Sequence, residues 1–185
     1  KWQTVYNLLD STGTPVMTQT QNWSMTQDSS RYFITLEWKG EAQTDITIGK
    51  YDYGGLFLRM PWKEDINGEV VNVARQKNEK AEGQRAMWVD VGMQVEGRDD
   101  LAHIAIFDHP ENRGYPQHWR VDGELGVGPA SARDTSWNIK KGETEVFKHR
   151  LMVYTGTLDD KEISGQWGLY TGKTSLYNTT ELWTM

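Results

Sequence analysis

Apolar and polar residues alternate with a period of two along most of the chain. Between Arg31 and Lys39, Tyr32, Ile34, Leu36 and Trp38 fall on one face and Thr35, Glu37 and Lys39 on the other, the pattern of a half-buried strand. Gly40 is expected to end it, and Thr44, Ile46 and Ile48 against Asp45 and Thr47 read as its hairpin partner. The alternation returns in Met87, Val89, Val91, Met93 and Val95 against Trp88, Asp90 and Gln94. Ala102 to Phe107 is apolar on both faces and so predicts a central strand. Glu145 to Tyr154 predicts another, and glycines at 54, 55, 97, 114, 123 and 142 punctuate the series.

One stretch has helical signals. Thr157, Asp159 and Asp160 offer capping chemistry, and Ile163 and Trp167 are spaced i, i+4. The same residues read equally well as a strand running into the Tyr170–Lys173 turn. Many strands with at most one or two short helices predict an all-β, antiparallel sandwich of the jelly-roll or supersandwich kind. Without repeats, low-complexity tracts or linkers, residues 1–185 read as a single domain, either whole or a segment of a longer protein, since the first residue is Lys1.

Composition sharpens this. The chain has 9 Trp and 8 Tyr and a net charge of −6, so half-polar rings stand in for aliphatic bulk in a folded chain. No apolar stretch approaches the roughly 20 residues of a membrane-spanning helix. No Lys/Arg cluster suggests a nucleic-acid surface, so neither nucleic acid nor membrane is an expected partner. With no Cys, disulfide, thiolate and zinc–thiolate chemistry are excluded. The sequence leaves oligomeric state open.

Candidate chemistry concentrates in 108–120, Asp-His-Pro-Glu-Asn-Arg-Gly-Tyr-Pro-Gln-His-Trp-Arg, leaving the Phe107 strand as a proline-stiffened loop. No cofactor is expected, although a divalent metal is open: His109 and His118 with Asp108 or Glu111 have suitable donors, whereas His103 and His109 on one strand would lie roughly 20 Å apart. A glycosidase-type carboxylate pair would draw on Asp90, Asp108 or Glu111. Nucleophile-elbow, P-loop and dinucleotide fingerprints are absent. Asn22-Trp23-Ser24 and Asn178-Thr179-Thr180 fit the glycosylation sequon. Trp38 and Trp88 read as packing residues, and Trp62, Trp119 and Trp137 as loop indoles. Exposed indoles stack on the apolar faces of sugar rings while Asn, Arg, Asp and His bond the hydroxyls, which points to a carbohydrate ligand.

The segments Thr44–Gly49, Gly54-Gly55-Leu56-Phe57-Leu58-Arg59-Met60, Trp88-Val89-Asp90 with Gly92, Ile104–Asn112 and Trp119-Arg120 together resemble the carboxy-terminal part of the PmoA-like, so-called methane oxygenase family of soluble bacterial β-proteins. The resemblance covers roughly residues 30 to 185. It implies export, to periplasm or exterior, a role in glycan metabolism, and a site drawn from Arg59, Asp90, His109, Asn112, Trp119 and Arg120. Longer members carry an additional amino-terminal half, so a site here would be incomplete if catalysis used that half.

Three functional expectations result. The first is cleavage of a glycosidic linkage, with His109 or His118 as general acid/base, Asp90 beside them, and Arg59, Asn112, Trp119, Arg120 and Trp62 holding substrate. The second is a carbohydrate-binding module in which Trp62, Trp119 or Trp137 forms a flat platform. A structural or interaction domain is a third. A deep pocket with converging His and acid groups would favour the enzyme, and a flat indole surface the module.

Overall fold

The computed structural model describes residues 1–173. Eleven strands are followed by one helix: β1 (Trp2–Leu9), β2 (Pro15–Asp28), β3 (Arg31–Ala42), β4 (Ile46–Ile48), β5 (Gly68–Asn72), β6 (Trp88–Gln94), β7 (Leu101–Asp108), β8 (Trp119–Val121), β9 (Val127–Pro129), β10 (Trp137–Ile139), β11 (Thr144–Gly156) and α1 (Asp160–Thr171). Seven strands form one antiparallel sheet in the order β1-β2-β3-β11-β7-β6-β5. The fold is therefore all-β and sandwich-like, as its alternating pattern predicts. Its second layer is made of the short pairs β8-β9 and β4-β10 with their loops rather than a second large sheet.

Side-chain alternation gives the sheet two faces. On the loop face, Val70, Val89, Val91, Ile106 and Leu151 pack against Trp119, Val121, Leu125 and Val127 and against Leu56, Leu58, Met60 and Trp62. On the helix face, Phe33, Trp88, Ala105, Phe107, Met152 and Tyr154 receive Ile163 and Trp167 of α1. β6 and β7 lie between these layers, which is why β7 is apolar on both sides. Trp88 is fully buried and donates its indole N–H to Ser164 Oγ at 2.8 Å, so a half-polar ring fills a core position without leaving a buried donor unpaired.

Three sequence expectations need correction. Gly40 does not end its strand: β3 runs through it to Ala42 and pairs with β2 on one side and β11 on the other. Residues 46–48 pair with β10, not with β3. Trp119 lies on β8 and is fully buried, not in a loop. The ambiguous stretch after residue 157 is helical, capped by Asp159, whose carboxylate accepts from Lys161 N and Glu162 N, and closed by Gly172 at φ +68°. That angle favours glycine because a Cβ crowds the backbone there. The sequon at Asn178 lies outside the described residues.

The long β1–β2 hairpin reaches past the covered core. β1 pairs Trp2 with Trp23 through Leu8 with Met17, and only the far side of β2 is backed, by β3. On the loop face these strands carry Trp2, Thr4, Tyr6 and Leu8 beside Trp23, Gln21, Gln19 and Met17.

Candidate functional site

The 108–120 loop is fastened into the interior. Asp108 at the end of β7 is fully buried. Its Oδ1 accepts from His109 N (2.9 Å) and Asn112 Nδ2 (2.7 Å), and its Oδ2 accepts from Gln117 N (2.8 Å). Burial pushes the carboxyl up to about 6 against these bonds, which favour the charged form. Asn112 behaves as an added strand residue: its Oδ1 accepts from Lys148 N and its Nδ2 donates to Lys148 O, both at 2.7 Å. Trp167 Nε1 donates to the Asp108 carbonyl. Asp108, Asn112 and Gln117 thus close the turn chemically, an expected use of Asp and Asn beside a tight loop.

The remaining expected site residues occupy separate surroundings. His109 is half-buried, its Nδ1 accepts from Glu111 N at 3.2 Å, and its ring meets Tyr170 edge-on at 5.2 Å. Burial lowers its pKa from the ordinary value. Lys148 pairs with Glu111, and Arg150 lies 4.4 Å from the Tyr170 ring centre while donating to Thr35 Oγ1. His118 lies in the loop-face layer, where its Nδ1 is 2.7 Å from the Gly83 carbonyl and therefore carries the proton it donates. Arg120 and Arg133 both reach Glu82, whose carboxylate also accepts from Val121 N. Arg59 rests on the Phe57 ring at 5.5 Å, and Trp62 packs half-buried on the loop-face core. Trp119 donates its indole N–H to the Ala86 carbonyl at 2.8 Å. Trp137 is half-buried on β10, with the Arg113 guanidinium 5.3 Å from its ring centre.

Asp90 is almost fully buried on the helix face. Its Oδ1 accepts from Tyr154 Oη at 2.8 Å and its Oδ2 faces His103 Nδ1 at 2.7 Å. His103 also stacks on the Tyr154 ring at 4.7 Å. Opposite it, position 92 must be glycine, because a Cβ there would fall 2.6 Å from His103 Cε1. The carboxyl group holds both rings in place within the core, while His103 Nε2 is left without a partner among the described residues. Periodicity places Asp90 on that face, but the sequence alone does not single out His103 or Tyr154 as its partners. Among the described residues, no three His, Cys, Asp or Glu side chains converge as a metal site.

A partly exposed aromatic pair lies elsewhere, on the loop face of the β1–β3 region. Trp2 and Trp23 are directly paired across β1 and β2, with ring centroids 5.8 Å apart and planes 6° from parallel. Trp2 is 48% and Tyr6 50% exposed. Trp23 Nε1 donates to Gln21 Oε1 at 3.1 Å and Trp38 Nε1 to Gln19 Oε1 at 2.7 Å. An indole N–H can only donate, so it fixes each amide with its oxygen towards the ring. The two side-chain NH2 groups then remain as donors, and among the described residues neither has a protein acceptor. Sequence reasoning passed over this surface because β2 alternates Met, Gln, Gln, Trp and Met with Thr, Thr, Asn and Ser, a weak apolar pattern. The detectable signal was the pair of Trp residues within such alternating runs.

Residues 1–168 match the sequence profile of the family of unknown function DUF6807. No curated protein and no solved structure matches the chain significantly.

Proposed function

The chain belongs to this family of unknown function, and we propose that it binds carbohydrate non-covalently on the open loop face of β1–β3. The observation that carries this reading is the Trp2–Trp23 stack, half-exposed at Trp2, with the side-chain NH2 groups of Gln19 and Gln21 beside it. A pyranose has an apolar C–H face and a rim of hydroxyls. An indole face with nearby hydrogen-bond donors complements both surfaces. Two clefts lie elsewhere. One of about 170 Å³ lies beside Arg31, Tyr154 and Asp159, and another of about 300 Å³ lies among Lys63, Asp65 and Arg98. Neither brings the expected catalytic His and Asp residues together. The test is native gel electrophoresis through gels cast with xylan, hydroxyethylcellulose or pullulan. Retardation of the wild-type chain by at least one polymer, lost in Trp2→Ala/Trp23→Ala, supports the reading; equal mobility in all gels contradicts it.

A second reading, acid/base cleavage of a glycosidic linkage, draws on His109. Its lowered pKa leaves the imidazole neutral near pH 7, and Tyr170, Arg150 and Lys148 supply nearby groups. Release of reducing ends from the same polymers, lost in His109→Gln, would support it. No release by the wild-type chain would set it aside.

A further inference from the structure

β1 is the outer strand of the seven-stranded sheet, and among the described residues nothing pairs with its free edge. From Trp2 to Leu9 it contains no charged residue and no proline, and its register with β2 is regular up to Leu8/Leu9. Edge strands are ordinarily protected by such charges, prolines or bulges. This one is also apolar on both faces, with Trp2, Tyr6 and Leu8 on one side and Val5 and Leu9 on the other, at 42 to 58% exposure.

We propose that this edge pairs antiparallel with β1 of a second copy about a two-fold axis through Val5. A two-fold antiparallel pair must place residue i opposite a fixed complement on the same face. Centred on Val5, that rule sets Trp2 opposite Leu8, Thr4 opposite Tyr6, Gln3 opposite Asn7 and Val5 opposite itself. Trp2, Val5, Tyr6 and Leu8 each meet a compatible side chain, the two amides meet each other, Leu9 falls opposite Lys1 at the end of the ladder, and no charge meets its own copy. Cross-strand pairs of these kinds stabilise an antiparallel ladder. Because the axis stands perpendicular to the sheet, both loop faces point the same way. The two Trp2–Trp23 stacks then share one continuous surface, and a long glycan can engage both. The pairing itself does not rest on the glycan reading.

The test is sedimentation velocity in low salt over a concentration series, with Val5→Lys and Val5→Glu alone and mixed. Val5 is exposed and lies on the face opposite Trp2, so both variants should keep the wild-type circular dichroism spectrum and still be retarded in polysaccharide gels, though less than the dimer because each monomer offers one stack. The wild-type chain is expected to sediment at twice the monomer mass, each variant as a monomer, and the equimolar mixture as a dimer, because Lys and Glu then face each other on the axis. A wild-type chain that stays monomeric, a dimer that persists in Val5→Lys, or a mixture that stays monomeric overturns the pairing. A wild-type chain that dimerises yet is retarded in no polysaccharide gel would count against the glycan reading alone.

Discussion

The six-membered ring of Trp38 lies against Gly40. A Cβ at position 40 would fall within the van der Waals radius of the indole and 2.8 Å from Met17 Sδ. Glycine within a strand here marks close approach of another group rather than a break. Trp38 in this pose donates to Gln19 and packs on the Met17, Ala42 and Ile139 cluster, so one missing side chain aligns an amide of the proposed platform.

Gly40→Ala is therefore expected to cost about 1–3 kcal/mol, the usual range for overpacking a filled site. Urea unfolding followed by circular dichroism measures it. The indole emission of the folded variant should also shift as Trp38 lifts. A variant as stable as the wild type would show that the ring is not confined there.

The buried Asp90 network gives a second expectation. Asp90→Ala leaves the Tyr154 hydroxyl and His103 Nδ1 without their acceptor, whereas Tyr154→Phe removes a single donor. The first should cost about 3–5 kcal/mol and the second about 1 kcal/mol. In a double-mutant cycle the two losses should fall short of additivity, since they share one bond. Additive losses in denaturant unfolding would contradict the shared network.

Much of this architecture is legible in the sequence. The central strands β6, β7 and β11 announce themselves because burial on one or both faces forces Val, Ile, Leu and Phe into fixed alternation. The hairpin β1–β2 does not, because its faces are half-exposed and Thr, Gln and Asn satisfy them equally well. Gly40 misleads for a different reason: in a single sequence, a glycine that admits a neighbour's ring looks like one that admits a turn. The chemistry of 108–120 is legible as residue types but not as roles. Asp108 and Asn112 look like site groups, yet they are consumed by bonds to backbone, which depend on Lys148, 36 residues away from Asn112.

His149 and Asp108 should give stability opposing pH dependences. Burial lowers the folded His149 pKa to about 3, while an unfolded imidazole takes up its proton near 6.5. The unfolded chain thus binds the extra proton, and the stability from neutral His149 is full above about pH 6.5 and lost as pH falls towards about 3. Asp108, raised to about 6 when folded, acts the other way: its contribution is present below the unfolded value of about 4 and lost as pH rises through about 6. Compared by urea unfolding at about pH 7 and about pH 4, the stability advantage of wild type over His149→Gln should shrink at the lower pH. The advantage over Asp108→Asn should grow. Differences independent of pH would contradict both assignments.

The platform is expected to be separable from the fold. Trp2 is half-exposed at an outer strand, so Trp2→Ala should alter the unfolding midpoint little. An aromatic contact worth about 0.5–1.5 kcal/mol corresponds to a loss of affinity of roughly two- to thirteenfold. Calorimetric titration of the variant with oligosaccharides of the retarding polymer measures it, and unchanged affinity would remove Trp2 from the binding surface.

The most direct test of glycan binding compares the wild-type chain with Trp2→Ala/Trp23→Ala in native gels containing xylan, hydroxyethylcellulose or pullulan, alongside a gel without polymer. The expected result is retardation of the wild type by at least one polymer and none of the double variant, with both migrating equally in the plain gel. Wild-type mobility unchanged by every polymer, or retardation that persists without the two indoles, would contradict the central claim.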